Sequence, residues 1–541
     1  MRKALLFGRK SSNNIERWQV EDMQLDQTSK RWDVVVIGGG ITGAGIFRES
    51  VRMGYKTLLV EQKDFAWGTS SRSSKMVHGG LRYMAQGNLL LTLTSVRERE
   101  KLLREAPGLV ETMEILMPMY SDQKPGKLSW SIGLSIYGLM ALEKQHTYFP
   151  KKRFLELVPG IKKVHLIGGF KFFDAKVDDA RLVLRLINDG IEFGGCAVNY
   201  TRVVELTRND KGSVTGVTVR DEETAKTRHL HAGTVINATG SWAETFHPSP
   251  NPDLHLRPLR GSHLILPRNA IPIDHTIGFF HPDDNRGMFA TIWEDRVMIG
   301  TTDLDHREDL SKEPFATKEE VRYLLDGINA YFPDNTVTAD DCISTFAGVR
   351  PVLSEGKLEP SKESRENIIW PDRGLVTVTG GKLTTFRKMA FDTLKTASVF
   401  LPEINRKTDH EPVFAKVNGF SDNGNTVPDD VRWRLYGRYG KAAEELIRNF
   451  SSGELEEIPG TNTLWAELPF TAERENVRHL EDLLLRRVRV GLLLPEGGKS
   501  HLDKIHKLCK SILPWDDKKW EEEKNAYLKL WQEAYSVPKL N

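Results

Sequence analysis

Two hydrophobic periods alternate along this chain, and the places where they change divide it. Val34-Val35-Val36-Ile37 is a short unbroken apolar run, as in a strand buried on both faces. Glycines and a helix-period stretch follow, then a second apolar run, Thr57-Leu58-Leu59-Val60. Between about 170 and 345 short β-branched runs dominate: Val198–Leu206, Val214–Arg220, Val235–Ala238, His263–Leu266 and Val297–Ile299. Turn signals such as Asn209-Asp210-Lys211-Gly212 separate them. Residues 346–400 return to strand, Gly-Gly turn and helix. Beyond 410 the pattern is helical, with Leu480–Leu494 and Trp520–Tyr535 as its clearest stretches. Mixed-sign charges over Val96–Leu103 predict a solvated helix face, and residues 418–428 a linker.

At 541 residues the chain is too long for one core and predicts two or three domains. Lys+Arg (76) nearly balances Asp+Glu (74), without the basic excess of a nucleic-acid binder, so no nucleic-acid partner is expected. Cys196, Cys342 and Cys509 are scattered and odd in number, which fits a reducing compartment better than a disulfide framework. No His/Cys cluster has metal-ligand spacing, so no metal is expected. Residues 1–30 predict a polar tail, because the apolar run Ala4–Phe7 is too short for a signal peptide. No segment reaches the about 18–20 apolar residues of a membrane span. Leu128–Leu142 reads as a buried helix or as one lying in a membrane interface. The basic stretch 499–510 is a solvated helix or a contact for anionic lipid.

The chemistry begins at Gly38-x-Gly40-x-x-Gly43. Its first glycine allows a tight turn, its second a close approach to a pyrophosphate, and its third close packing of helix on strand. The following helix presents its N-terminus, with Thr42 in its first turn, to the phosphates. Glu61 ends the second strand, where a carboxylate accepts hydrogen bonds from an adenosine ribose. Strand, turn, helix and acid together predict a bound dinucleotide. No second fingerprint follows, so one tightly held redox cofactor is expected. No GxSxG elbow is present, which argues against hydrolase chemistry.

Further along, Thr69-Ser70-Ser71-Arg72-Ser73-Ser74-Lys75-Met76-Val77-His78-Gly79-Gly80-Leu81-Arg82-Tyr83 closely resembles a segment of the FAD-dependent glycerol-3-phosphate dehydrogenases of the aerobic, respiratory type. Val177–Leu182, Asn237–Trp242, Gly261-Ser262-His263, Ile299–Asp303, Gly348–Pro351 and Gly380–Thr385 match that family in order, and Leu480–Arg487 looks like its helical domain. Arg72 departs from the pattern, being bulky where a small residue is usual. The resemblance implies an α/β plus α+β architecture. A glutathione-reductase-like Rossmann domain for FAD would span 31–120, 170–250 and 346–400. A β-rich substrate domain would span 121–169 and 251–345, and a helical domain 410–541.

The resemblance also implies oxidation of sn-glycerol 3-phosphate to dihydroxyacetone phosphate, by hydride transfer from C2 to flavin N5. Electrons would pass to a quinone, with peripheral attachment to the inner, cytoplasmic face of a membrane; a homodimer is compatible with it. Such a substrate needs cations and a base. Arg82, Arg350 and Lys382 are the expected phosphate partners, joined by the Tyr83 hydroxyl. His263, at the start of an apolar strand, is the expected base, and Arg350 the group that steadies the alkoxide. Beyond the fingerprint, the expected cofactor contacts are Thr69, Ser70, Ser74, Lys75, His78, Gly240, Gly381, Lys382, Leu383 and Thr384, the last beginning a threonine-capped helix. Three other activities stay open: an oxygen-using glycerol-3-phosphate oxidase, an amine or amino-acid oxidase of the same fold, and a flavin-binding protein without turnover.

Overall fold

A computed structural model gives the fold. It describes residues 31–540 except 86, 142–145, 248–254, 355–366, 405, 407 and 417–426, and except the side chains of 82 and 85. The polar tail and most of the linker expected at 418–428 therefore lie outside the described residues.

The chain opens with β1 (Trp32–Ile37), helix α1 (Ile41–Met53) and β2 (Thr57–Val60). It then crosses to a second sheet for β3 (Met76–Val77), β4 (Val110–Tyr120), β5 (His146–Pro150) and β6 (Leu166–Val177), with helices α2 (Leu89–Glu105) and α3 (Lys127–Met140) on the way. Helix α4 (Asp179–Glu192) returns it to the first sheet for β7 (Cys196–Val198), β8 (Thr201–Arg208), β9 (Val214–Asp221) and β10 (Thr227–Asn237). Strands β11 (His255–Pro267), β12 (Thr276–Phe280), β13 (Gly287–Trp293), β14 (Arg296–Gly300) and β15 (Leu304–Asp305), helix α5 (Lys318–Asn329) and β16 (Ser344–Ser354) complete the second sheet. β17 (Asn367–Asp372), β18 (Leu375–Gly380) and helix α6 (Phe386–Ala397) complete the first.

The first sheet runs β17-β18-β10-β1-β2-β7 and is parallel from β18 to β7. Its central strand is covered on both faces, which is why it reads as an unbroken apolar run. Val34 and Val36 pack in one core with residues of α1, α4 and α6, and Val35 and Ile37 pack in another with residues of β8 and β9. The second sheet runs β15-β11-β14-β13-β12-β4-β6-β3, with β16 on β11 and β5 on β6. Strands β4, β16 and most of β6 lie in spans expected for the cofactor domain, yet they pair here. Their local pattern suits either sheet, and pairing with distant strands decides which. The chain thus passes between sheets several times, and those crossings wall the site.

Other expectations shift for physical reasons. The run Val198–Leu206 is broken at Tyr200, which has φ 51°, so it forms two strands. The helix over Val96–Leu103 is not simply solvated: Val96, Arg99 and Leu102 are buried, and Arg99 pairs with Asp174 at 3.0 Å. Leu480–Leu494 is not one helix. A π-type turn (Asp482–Arg487) and a left-handed Arg489 (φ 61°) precede a short helix, Val490–Leu493. The basic stretch 499–510 buries Leu502, Ile505 and Cys509 in the helical domain's core. That core also packs on the second sheet through Ile265, Trp293, Met298 and Phe346.

Candidate active site

A cavity of about 1190 Å³ runs between the two sheets. At one end is the glycine turn. Gly38 has φ 107°, and a Cβ there would sit 2.6 Å from the Ala238 carbonyl oxygen; a Cβ on Gly43 would sit 1.8 Å from the Gly38 carbonyl oxygen. Turn, strand and helix therefore meet without room for a side chain. Gly43 does this from behind, while Gly38, Gly40 and Thr42 line the cavity. The N-cap of α1 is Gly40, which has no side chain to cap the helix, and of its first N–H groups that of Ile41 donates to Ser70 Oγ at 2.9 Å. Glu61 accepts the Gly39 N–H at 2.7 Å and the Lys63 N–H at 2.9 Å. Burial pushes its carboxyl above the ordinary range, against the pull of these backbone N–H groups.

Residues 69–83 form the next wall. Thr69, Ser70, Ser74, His78 and Tyr83 line the cavity, and the Thr69 hydroxyl donates to the Val349 carbonyl oxygen. Asp174 accepts the Gly79 N–H at 3.0 Å and anchors the Gly79-Gly80 turn. Lys75 stands apart from the other predicted cofactor contacts: its ammonium turns away from the cavity into a buried bond with Asp179 at 2.8 Å. Burying an ammonium requires a counter-charge, and the fold supplies it behind this wall. Arg82 lies in the short helix Leu81–Ala85, and its side chain is outside the described residues. Arg72, the departure from the family pattern, is buried against Glu313 and lies 3.4 Å from Tyr535 Oη.

Beyond the wall, His263 Nε2 meets Ser74 Oγ at 2.9 Å, and Nδ1 has no hydrogen-bond partner among the described residues. The ring is buried and stacks on Phe346, with centroids 4.6 Å apart. Burial first, then the charges of Lys75 and Arg350, hold its pKa well below the usual histidine range. Arg350 donates to Asp303 at 2.6 Å, and Asp303 also pairs with Arg286 at 3.1 Å. All three line the cavity. Lys382 lies 4.3 Å from the centroid of the Tyr83 ring. Gly240, Gly381, Lys382, Leu383 and Thr384 complete this end, with Thr384 Oγ1 donating to the His78 carbonyl oxygen at 3.2 Å. No threonine side chain caps this helix start, in contrast to the expectation, so its first backbone N–H groups are not taken by a cap.

Sequence reasoning missed Arg286 and Asp303 as site residues. Asp303 lay within a recognised segment, Ile299–Asp303, without a role; Arg286 lay in a turn, where local pattern says nothing of direction. Trp67, Trp242 and Pro351 also line the cavity unannounced.

The donor set suits a flavin dinucleotide along its length. A helix N-terminus with glycine at its N-cap suits a pyrophosphate, Glu61 a ribose, and the helix start beside Lys382, which no threonine side chain caps, a group that gains negative charge.

Residues 33–386 match the family FAD dependent oxidoreductase, and 387–520 match the C-terminal domain of alpha-glycerophosphate oxidase. An aerobic glycerol-3-phosphate dehydrogenase from Staphylococcus haemolyticus is 33% identical, over 85% of this chain and 87% of its own length. One from Staphylococcus aureus is 33% identical over 87% of this chain and 89% of its own length. Among solved structures, the glycerol-3-phosphate dehydrogenase from Bacillus halodurans complexed with FAD superposes with TM-score 0.73 at 27% identity, covering 96% of this chain and 98% of that one. The L-alpha-glycerophosphate oxidase of Mycoplasma pneumoniae with FAD bound shares the fold at TM-score 0.57 and 16% identity, covering 72% of this chain and 100% of its own. With its two-sheet fold and these matches along nearly the whole chain, this protein belongs to the FAD-dependent glycerol-3-phosphate dehydrogenase family, and FAD is its cofactor.

Proposed function

We propose that the chain oxidises sn-glycerol 3-phosphate to dihydroxyacetone phosphate and delivers the electrons to a quinone. The observation that carries this reading is a buried imidazole and a cluster of cations lining one cavity. Arg286, Arg350 and Lys382 all line this cavity, and their positive charges suit a phosphate of about −1.5 to −2. The two guanidiniums offer planar forks to phosphate oxygens, and Asp303 holds both where they would otherwise repel. Tyr83 adds a hydroxyl beside Lys382.

His263 is uncharged at neutral pH and accepts the proton of the C2 hydroxyl. A dianionic substrate beside it raises its basicity as it binds. Arg350, near enough to depress the imidazole, steadies the alkoxide that forms. FAD, when bound, supplies the two-electron acceptor for the hydride leaving C2.

A quinone acceptor needs a path to lipid. Among the described residues no helix is long and apolar enough to cross a membrane. Helix α3 instead exposes Leu128 (75%), Ile132 (55%), Ile136 (42%) and Leu139 (75%), while its Trp130 lines the cavity. An apolar helix face in water, flanked by Lys124 and Lys127, supports a contact that lies in the membrane surface.

The test is anaerobic. Adding sn-glycerol 3-phosphate to the purified protein should bleach the flavin band near ~450 nm, as a redox role for the cofactor requires. An unbleached band sinks the substrate assignment. The match of 387–520 to an oxidase domain supports a second reading, with oxygen as acceptor. Stoichiometric hydrogen peroxide without added quinone would favour it.

A further inference from the structure

Lys75 sits next to Ser74 in the wall of the cavity, but faces the opposite way. Its fully buried ammonium donates to the Ser71 carbonyl oxygen at 2.6 Å and to the two oxygens of Asp179 at 2.8 and 3.0 Å. These bonds use its three donors. Asp179 also accepts the Ser73 N–H at 2.9 Å and the Ser73 hydroxyl at 2.6 Å. Arg489 reaches in from the helical domain, donates to Asp179 and to the Ser71 carbonyl oxygen (3.0 Å), and lies 3.2 Å from Asp178. Ser71, Ser73 and Lys75 are thus tied to one buried ionic cluster. Ser74, between the last two, is left to meet His263 Nε2 at 2.9 Å. The Lys75 ammonium lies 4.9 Å from the centroid of Phe346, the ring on which His263 stacks.

We propose that Lys75, anchored by Asp179, is a positioning residue for His263, an assignment that rests on His263 being the proton acceptor. It holds Ser74 Oγ in register with Nε2 and places a fixed positive charge behind the imidazole. The charged groups that face the ring are Lys75 from this wall and Arg350 from β16. Arg350 is countered by Asp303, and Lys75 by Asp179 with Asp178 and Arg489 beside them. Strand β14 places Gly300, which carries no charge, against the ring. A nearby like charge disfavours the imidazolium, so removing it raises the basicity of the ring.

The test is the pH profile of kcat/KM for sn-glycerol 3-phosphate in Lys75→Met, Lys75→Gln and Lys75→Arg. In the two neutral variants the acid limb should move to higher pH by about one unit, so kcat/KM falls about tenfold on the acid side. Lys75→Arg, which keeps the charge, should leave the limb in place. A neutral variant that binds FAD and shows the wild-type limb overturns the proposal, whatever its kcat. Loss of FAD from both neutral variants also overturns it, by making Lys75 a folding residue. His263→Asn separates the two assignments. If it reduces its FAD at the wild-type rate, the proton-acceptor reading fails. If it is inactive while the Lys75 limbs stay put, only the role of Lys75 fails.

Discussion

Asp64→Asn should loosen the grip of the helical domain on the cofactor domain. Asp64, three residues beyond Glu61, is fully buried. It accepts bonds from Arg486 Nε and Arg487 Nη1, from Arg487 Nη2 at 2.8 Å, and from Asn199 Nδ2 at 3.0 Å. Asparagine keeps the shape but removes the charge and turns an N–H toward two guanidiniums. Breaking a buried pair costs about 3–5 kcal/mol. Arg486 keeps Asp482 at 2.6 Å, which places the loss at the lower end. About 3 kcal/mol corresponds to roughly 100-fold in the opening equilibrium of this contact. Hydrogen exchange read by mass spectrometry measures it by region. Peptides covering 61–68 and 480–494 should exchange roughly 100-fold faster, while those from β1 stay unchanged. Equal rates in wild type and variant at both contact peptides would refute the reasoning. Its pH dependence is also set. Burial pushes the Asp64 carboxyl up, but Arg487 and Arg486 outweigh it and hold the pKa below the usual 3.8. The stabilisation is complete above that usual value and is lost as pH falls through the lower folded one, so wild type and variant converge in acid.

Gly43→Ala must move the Gly38 carbonyl by about 1.2 Å to reach the closest tolerated contact, so the purified variant should be largely free of FAD; full cofactor content by absorbance would contradict this. Ile132→Glu and Leu139→Glu, on the exposed face of α3, should release the protein from anionic vesicles without changing anaerobic reduction; unaltered co-sedimentation of both would exclude this face. Burial lowers the His479 pKa, but Glu523 at 3.1 Å and the nearby acids raise it on balance to about 9. Its contribution should be complete below pH 6.5 and fade as pH rises through about 9, so Tm curves of wild type and His479→Gln that stay parallel across this range would rule it out.

Local spacing determined the nucleotide end of the site. Gly38, Gly40, Gly43 and Glu61 lie within one strand–turn–helix–strand unit, so their separation along the chain already implies their separation in space. Resemblance extended this to Ser74, His78, His263 and Lys382, which line one cavity. The membership of β4, β6 and β16 in the second sheet was decided by tertiary structure, because an apolar strand fits either sheet until distant partners choose. The direction of Lys75, the Arg286–Asp303–Arg350 bridge and the break at Arg489 were decided in the same way. A charge leaves water only beside a counter-charge, and the counter-charges here are far away in sequence. Asp179 and Arg489 are 310 residues apart, and Asp64 and Arg487 are 423 apart. A pattern read over neighbouring residues shows that such a side chain can be ionised, and only the folded chain determines what it faces.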